Sequence, residues 1–120
     1  IQSMEIYRGK LIAYSFGNFA FGGNSNPTDK RTFILQARLH TVDGEVRSVD
    51  YRVIPTRVSR TESYNDYVPT PYRGDEKQQV LAFINGLSPT LAGRAADAFV
   101  PVVPPRPRLP KATLQARPAG

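Results

Sequence analysis

Residues 32–40 read Thr-Phe-Ile-Leu-Gln-Ala-Arg-Leu-His, and this stretch decides the fold. Apolar residues occupy the odd positions from Phe33 to Leu39, whereas most of the even positions are polar. A period of two residues is typical of a β-strand with one buried face. After Val42-Asp43-Gly44, residues 48–54 alternate in the same way. The sequence therefore predicts an antiparallel hairpin over residues 32–58.

The loop of this hairpin determines which residues face each other, because a slip of one residue moves every side chain to the other face. A two-residue Asp43-Gly44 loop would place apolar residues of one strand opposite polar residues of the other. A three-residue Val42-Asp43-Gly44 loop keeps the apolar sets together, as a type I turn with Gly44 in the left-handed region. We therefore predict the three-residue loop. Its cross-strand pairs would be Phe33 with Val53, Leu35 with Tyr51, and Ala37 with Val49.

Three further elements are predicted on either side of this hairpin. Residues 4–15 predict a shorter hairpin, in which Arg8-Gly9 forms a two-residue type I′ turn. A helix is predicted from Asp75 to near Asn85, with Gly86 as its end. The alanine-rich residues 90–99 predict a weak second helix. The apolar stripe of the first helix comprises Val80, Phe83, Ile84 and Leu87.

Composition and charge indicate one small domain with a proline-rich tail. The chain has 120 residues and no cysteine, which excludes disulfides and thiolate chemistry. Residues 100–120 carry four of the six net positive charges and six of the eleven prolines. That composition favours extended polyproline conformations, so we predict a folded part over residues 1–99 and a disordered tail over 100–120. Because the folded part is nearly neutral, the charge argues against a nucleic-acid partner.

The residues that could carry catalysis are few. His40 is the single histidine, and its place in the alternation predicts an exposed strand residue. Ser15 has no base nearby in the sequence, which argues against a Ser-His-Asp hydrolase. Gly22-Gly23-Asn24 lacks the further glycine and lysine of a phosphate-binding loop. No Asp/Glu pair has metal-ligand spacing on one element, so the chain alone predicts neither a metal site nor a cofactor.

Two features leave alternatives open. Tyr64, Tyr67 and Tyr72 lie in a predicted loop over residues 60–73. They would either line a carbohydrate or peptide surface or pack the loop onto the sheet. The segment Pro104-Pro105-Arg106-Pro107-Arg108 resembles a ligand of aromatic-grooved adaptor domains, and it would serve equally as a linker.

The stretch Tyr14-Ser15-Phe16-Gly17-Asn18-Phe19-Ala20-Phe21 carries the functional argument. The apolar run Leu11–Tyr14 precedes its bend and predicts a buried strand. Gly17 and Asn18 are the residue types that adopt positive φ most readily, so a tight turn is expected there. Side chains and backbone amides at such a strand end are well placed to face a site.

With its flanks, this stretch resembles the C-terminal portion of the CapA/PgsA family of bacterial capsule and poly-γ-glutamate biosynthesis proteins, which have a metallophosphoesterase-like fold. The resemblance runs through Ile1-Gln2, the Gly-Lys hairpin at Glu5–Lys10, and residues 12–21. The family pattern in the last segment is Tyr-Ser-Leu-Gly-Asn-Phe-x-Phe, in which Phe16 replaces the usual leucine. By pattern, the resemblance covers about residues 1–88.

The resemblance implies an α+β fold of antiparallel β hairpins plus one helix, the C-terminal part of a four-layer α/β/β/α domain with a two-metal site at its strand ends. The family's metal ligands lie in an N-terminal Gly-Asp segment, an Asn-His segment and a Gly-x-His-Pro-His segment, and this sequence matches none of these segments. The last would end directly before Ile1. We therefore expect a fragment that is inactive alone, from a parent with a divalent metal pair. Ser15 and Asn18 would orient the missing His loop or touch substrate, or Asn18 would only cap the turn.

The implied function is the synthesis or export of an anionic capsular polymer, with metal-dependent hydrolysis by the parent protein as one route. The implied partners are the missing N-terminal part of the same domain, the anionic polymer, and membrane proteins of capsule synthesis. A cell-envelope or extracytoplasmic location follows from the same resemblance. The alternative function is that of a small non-catalytic β-rich binding module, which presents its proline-rich tail to a partner. A fragment of a two-sheet fold would also expose strand edges and apolar surface.

Overall fold

The computed structural model describes residues 1–20, 23 and 25–104, and these residues form an α+β fold. The predicted class, with antiparallel hairpins and one helix, is confirmed. The strands are β1 (Met4–Tyr7), β2 (Lys10–Ala13), β3 (Arg31–Val42), β4 (Glu45–Arg57), β5 (Thr70–Pro71) and β6 (Val100–Pro101). The helix is α1 (Gly74–Leu87), and a 3₁₀ turn follows at Pro89–Leu91. Strands β1 and β2 form one sheet, and the other four strands form a second.

Strand β4 is the centre of the larger sheet. Along one edge it pairs with β3, and along the other it pairs with β5 and β6. Two further bonds extend this second edge: the Val53 N–H donates to the Ala96 carbonyl at 2.8 Å, and the Val102 N–H donates to the Val49 carbonyl at 2.9 Å. Strand β4 is thus bonded on both sides, whereas β3 lies at the edge of the sheet.

The two-residue turn of the first hairpin is confirmed, and the three-residue turn of the second is wrong. Tyr7 pairs with Lys10 across Arg8-Gly9, both of which have positive φ, as a type I′ turn requires. In the second hairpin Val42 pairs with Glu45, so the loop is only Asp43-Gly44, with φ of 52° and 79°. Both predicted hairpins exist, and each has a two-residue turn with positive φ at both positions.

With a two-residue loop alone, the apolar residues of β3 would lie opposite polar residues of β4. A β-bulge shifts the register by one residue and brings the apolar residues of both strands onto one face. His40 pairs with Ser48, whereas Thr41 pairs with Val46, so Arg47 is the extra residue. The apolar residues therefore share one face, as predicted, but each is paired two positions away from the predicted partner. The observed pairs are Phe33 with Pro55, Leu35 with Val53, and Ala37 with Tyr51.

The hydrophobic core joins the apolar face of β3–β4 to α1 and to the first hairpin. Phe33, Tyr51 and Val53 are fully buried on the sheet, and Met4 is buried on β1. Full burial of such a side chain contributes about 1.5–3 kcal/mol. The remaining core residues are Val80, Leu81, Ile84, Leu91, Ala95 and Val102.

Helix α1 is longer than predicted and buries a different set of residues. It continues through Gly86 to Leu87, because Gly86 is not in the left-handed conformation that ends helices. Pro89 ends it instead, since the residue before a proline is disfavoured in the helical region, and Ser88 has a φ of −129°. Val80, Leu81 and Ile84 are buried, Phe83 only packs against the core, and Leu87 is exposed. Within the described residues, no helix has the length and apolar character to cross a membrane.

The segment after α1 contradicts two predictions. Residues 90–99 form no second α-helix, because the 3₁₀ turn ends at Ala92, which is left-handed with a φ of 50°. The tail does not begin at Val100 as a disordered segment, since Val100–Pro101 is β6 and Val102 is buried. The sheet edge offered by β4 and an apolar pocket for Val102 outweigh the proline content here. The rest of the predicted tail, residues 105–120, lies outside the described residues.

Two hydroxyl groups after α1 attach the first hairpin to the rest of the domain. The Met4 N–H donates to Ser88 Oγ at 2.9 Å, and the Ile6 N–H donates to Thr90 Oγ1 at 2.8 Å. These contacts satisfy the outer edge of β1, which would otherwise carry unpaired donors. Ser88 is fully buried, whereas the Thr90 bond is exposed to solvent.

We expect Ser88→Ala to lower the free energy of unfolding by about 1–3 kcal/mol, because the buried Met4 N–H would lose its acceptor. Thr90→Val is the matched control. It should have a smaller effect, since water can replace the lost acceptor for the Ile6 N–H. Urea denaturation followed by far-ultraviolet circular dichroism measures both values. Equal losses of unfolding free energy in the two variants would contradict the explanation that burial of the Ser88 bond makes it the more important one.

Candidate functional site

The candidate site is a corner of the chain, residues 14–18, that begins where the first hairpin ends. The Gln2 N–H donates to the Ser15 carbonyl at 2.9 Å, and the Tyr14 N–H donates to the Ser3 carbonyl at 3.2 Å. The predicted buried strand is wrong at this point, because β2 ends at Ala13 and Tyr14 is 53% exposed. Among the described residues β2 pairs only with β1, which leaves this end of the strand near the surface.

Gly17 holds the corner tightly against the start of the chain and the start of β3. Its φ is +82°, so the predicted bend exists at this residue. A Cβ atom here would lie 3.0 Å from the Ile1 nitrogen and 3.2 Å from the Arg31 carbonyl oxygen. The Thr32 hydroxyl donates to the Phe16 carbonyl at 2.8 Å and fixes the other side of the corner. Only glycine fits both the backbone conformation and the space.

The two predicted site residues share this corner but differ in surroundings. Ser15 is half-buried, and its Oγ accepts the Gly17 N–H at 3.2 Å, which supports the turn. Asn18 is exposed, its φ is not positive, and its side chain makes no hydrogen bond to another described residue. Among the described residues no hydrogen bond shows the capping role considered for Asn18, so that role stays a prediction. Phe21, Gly22 and Asn24 lie outside those residues.

A charged pair beside the corner was not predicted from the sequence. Arg31 Nε and Nη2 donate to the two carboxylate oxygens of Asp29 at 2.9 and 2.8 Å, and the Arg31 N–H adds a third bond at 3.0 Å. The guanidinium also lies 3.7 Å from the centroid of the Phe83 ring. These hydrogen bonds lower the pKa of Asp29 and raise that of Arg31. The sequence signal for this pair is that Asp29 and Arg31 carry opposite charges two residues apart, directly before the predicted strand.

The described residues do not fit a metal ion at this corner. Within residues 1–20, 23 and 25–104, no group of three or more His, Cys, Asp or Glu side chains is close enough to hold one. Of the carboxylates beside the corner, Asp29 is already bound in both oxygens by Arg31, and Glu5 accepts a hydrogen bond from the Tyr14 hydroxyl. Any metal bound beside this corner would need ligands from other segments.

A second charged group lies on the opposite face of the sheet from the core. Asp50 Oδ2 is 2.8 Å from His40 Nε2 and 2.9 Å from Arg38 Nη2. The hydrogen bond with His40, and secondarily that from Arg38, lower the pKa of Asp50. His40 is exposed, as predicted. Arg38 and Arg52 also flank the Phe99 ring, at 4.2 and 5.4 Å from its centroid.

The loop over residues 59–68 is held from within and presents two tyrosines to solvent. The Asp66 carboxylate accepts hydrogen bonds from the Ser59 hydroxyl, from Arg60 Nε and from two backbone N–H groups. Tyr64 and Tyr67 are 55% and 47% exposed, so the alternative in which they pack onto the sheet is wrong for both. It holds for Tyr72, which packs against the core.

The Asp66 carboxylate gives a testable dependence on pH. Its hydrogen bond with Arg60 holds the pKa of Asp66 far below the usual 3.8. A carboxylate with a lowered pKa stabilises the folded state fully above the unfolded pKa, and this contribution is lost as the pH falls below 3.8. In an NMR titration we expect Arg60→Gln to raise the Asp66 midpoint more than Ser59→Ala does. An unchanged midpoint in Arg60→Gln would contradict the assignment.

Three comparisons with known proteins were made for this chain. No protein-family model matches it, no curated protein matches it, and no solved structure matches it. The family resemblance of residues 1–88 therefore rests on the residues quoted for it and stays a prediction.

Proposed function

We propose that this chain is the C-terminal portion of a CapA/PgsA-type domain that supports the synthesis or export of an anionic capsular polymer. One observation carries the proposal: the corner that bears the family-like residues is packed against the backbone nitrogen of Ile1. The family resemblance expects the Gly-x-His-Pro-His segment directly before Ile1. That segment would then emerge beside Ser15 and Asn18. In the full domain, the two sheets seen here would belong to the inner layers of the four-layer α/β/β/α fold.

In this proposal Ser15 and Asn18 are positioning residues. Ser15 supports the turn through its bond with the Gly17 N–H, so its role is to fix the backbone of the corner. Asn18 has an exposed amide that can donate to and accept from the adjoining histidine loop or a substrate. The divalent metal pair of the parent would be held by the upstream segments, because the described residues at the corner do not fit one.

The proposed partners follow from the same assignment. They are the upstream part of the same domain, the anionic polymer, and membrane proteins of capsule synthesis. The proposed location is the cell envelope or the extracytoplasmic space. No nucleic-acid partner is proposed, because four of the six net charges belong to residues 100–120 and the other 99 residues are close to neutral.

The longer protein, with the sequence that precedes Ile1, tests this function. We expect it to bind divalent metal by elemental analysis and to hydrolyse bis-p-nitrophenyl phosphate. Asn18→Ala should lower metal occupancy or turnover by about 10–100-fold, the usual loss when a residue that orients metal ligands is removed. Ser48→Ala, at an exposed position of β4 away from the corner, is the control and should change neither. Equal behaviour of the two variants would overturn the role of Asn18, and a longer protein without metal would overturn the function.

A second function is favoured by one observation at the end of the described chain. Strand β6 pairs with β4, and Val102 is buried, so the point from which residues 105–120 continue is fixed on the domain. A binding module that presents a proline-rich segment to a partner needs such an anchor. A pull-down with the full chain and with a chain ending at Pro104 separates this function from the first. Loss of a retained partner on truncation would support it, and no retained partner would count against it.

A further inference from the structure

A small pocket lies at the end of the larger sheet, and none of its lining residues belongs to the corner. It has a volume of about 260 Å³. Arg57 is the last residue of β4, and Tyr72 comes directly after β5. Sites for drug-sized ligands have volumes of about 300–1,000 Å³, so this pocket suits a smaller molecule. The other lining residues come from two loops and from the first turn of α1, and they are Thr28, Lys30, Glu62 and Glu76.

The Arg57 guanidinium has a buried nitrogen without a partner. Arg57 Nε is buried, and none of the described residues accepts its N–H. The Cζ atom of Arg57 lies 5.9 Å from the centroid of the Tyr72 ring, and no described carboxylate forms an ion pair with the guanidinium. A guanidinium stays protonated in proteins, and a buried donor that is left without an acceptor is destabilising. The pocket therefore contains a cation that lacks an acceptor.

Two carboxylates line the same pocket and are also unpaired. Within residues 1–20, 23 and 25–104, neither Glu62 nor Glu76 accepts a hydrogen bond or forms a salt bridge with its side chain. Burial raises the pKa of the Tyr72 phenol, a rise that Arg57 opposes and Glu76 reinforces, so both charges act on the same side chain. Opposite charges thus line one cavity without neutralising each other.

Lys30 gives the pocket a second cation. Its Nζ donates to Asn26 Oδ1 at 2.9 Å and to the Pro27 carbonyl at 3.1 Å, which leaves one N–H of the ammonium for a further acceptor. The lining therefore carries two cations and two carboxylates. A ligand with a single charge would meet like charges as well as opposite ones, and like charges brought together oppose binding. A ligand with both charges can pair each of its groups with an opposite one.

We propose that this pocket binds a small aminocarboxylate, a molecule that carries one carboxylate and one ammonium group. The carboxylate accepts hydrogen bonds from Arg57 and Lys30, and the ammonium donates to Glu62 and Glu76. Hydrogen bonds between two ionised groups are stronger than those between neutral groups. The methylene groups between the two charges lie against the Tyr72 ring. A neighbouring pocket of about 190 Å³ shares Tyr72 and Glu76 with this one, which gives room for a ligand longer than glycine.

An NMR titration of the full chain tests this proposal. The probes are glycine, γ-aminobutyrate and ε-aminocaproate, whose two charges are successively further apart. Butyrate lacks the ammonium of γ-aminobutyrate and propylamine lacks its carboxylate, so these two molecules are the matched controls. We expect at least one probe to shift the Arg57 Nε–H resonance and to bind about tenfold more tightly than either control. No shift with any probe, or equal binding by either control, would overturn the proposal.

A matched pair of variants in α1 tests the role of the carboxylates. Glu76 is exposed, so Glu76→Gln should keep the fold and weaken the binding of the best probe about tenfold. Asp75→Asn removes the same charge from the same helical turn, but Asp75 does not line the pocket, so this variant should bind as the unchanged chain does. Equal effects of the two variants would contradict the proposed site.

The single-charge controls show whether the two kinds of charge act as proposed. Glu76→Gln should bind butyrate more tightly than the unchanged chain does, because one repulsive carboxylate is gone. Arg57→Gln should bind propylamine more tightly for the corresponding reason, and circular dichroism of this variant establishes that it is folded. If Glu76→Gln loses affinity for butyrate and γ-aminobutyrate alike, the carboxylate has only a structural role and the proposal fails. Neither result depends on the proposed capsule function, which the upstream metal site tests.

Discussion

Replacement of Phe33 by alanine is expected to lower the free energy of unfolding by about 3–5 kcal/mol, the usual range for a buried aromatic residue. Phe33 is 1% exposed, lies near the start of β3, and belongs to the same core cluster as the buried residues of α1. Its ring also lies 4.6 Å from the ring of Phe16, so the substitution removes a support of the corner. Small domains have only about 5–15 kcal/mol of stability in total, so this variant should be marginal at room temperature.

Phe16→Ala is the matched control for this substitution. The Phe16 ring packs against the Phe33 ring, but Phe16 is 39% exposed. Its substitution therefore removes less buried apolar surface, and the expected loss of stability is well below that of Phe33→Ala. Urea denaturation curves of both variants, followed by circular dichroism, give the two free energies. A larger loss for Phe16→Ala would contradict the position assigned to the core.

Gly17→Ala is expected to have the second largest effect, and Gly44→Ala provides a close comparison. The two glycines have nearly the same φ, +82° and +79°, so the conformational penalty of an added Cβ is about 1–2 kcal/mol in both. At Gly44 nothing lies within 4 Å of the added atom, and the penalty should be the whole effect. At Gly17 the Cβ would meet two backbone atoms at 3.0 and 3.2 Å, which adds about 1–3 kcal/mol for overpacking.

The difference between these two variants measures the close approach of the corner to Ile1 and Arg31. Thermal denaturation gives both stabilities, and amide hydrogen exchange at Gln2 shows whether its bond to the Ser15 carbonyl survives. Faster exchange at Gln2 in Gly17→Ala, with no change in Gly44→Ala, is the expected result. Equal destabilisation of the two variants would mean that the backbone around Gly17 moves to accept the Cβ atom at no cost, and it would contradict the close packing described here.

The strand faces could be predicted from the sequence, and the cross-strand register could not. Alternation of apolar residues from Phe33 to Leu39 is a local signal, and it placed the buried face correctly. The register depends on how the chain brings the apolar residues of both strands onto one face. A three-residue loop and a bulge at Arg47 both satisfy the alternation, and the chain uses the bulge. Local periodicity does not distinguish them.

The predicted end of α1 is wrong for a similar reason. Gly86 is a common helix terminator, but it accepts a helical conformation where the next residue can continue the helix. Pro89 acts through the residue before it, so the helix ends at Leu87. The prolines around Val102 predict a disordered tail, yet tertiary burial holds this residue in the core. Composition does not report such a contact.

At the corner, the bend at Gly17 was predictable and its surroundings were not. The left-handed conformation follows from the Gly-Asn pair of residues. The approach of Gly17 to Ile1 and Arg31 joins segments far apart in the sequence, and no local pattern reports it. The same holds for Arg31, whose guanidinium binds Asp29 and stacks on Phe83 of the helix. The sequence thus located the corner but not the groups packed around it.

The reading frame immediately upstream of Ile1 tests the central proposal most directly. If the corner holds the histidine loop of a CapA/PgsA-type domain, sequencing this region should reveal Gly-x-His-Pro-His directly before Ile1, with Gly-Asp and Asn-His segments further upstream. A start codon at this point, or an unrelated upstream sequence, would contradict the proposed function.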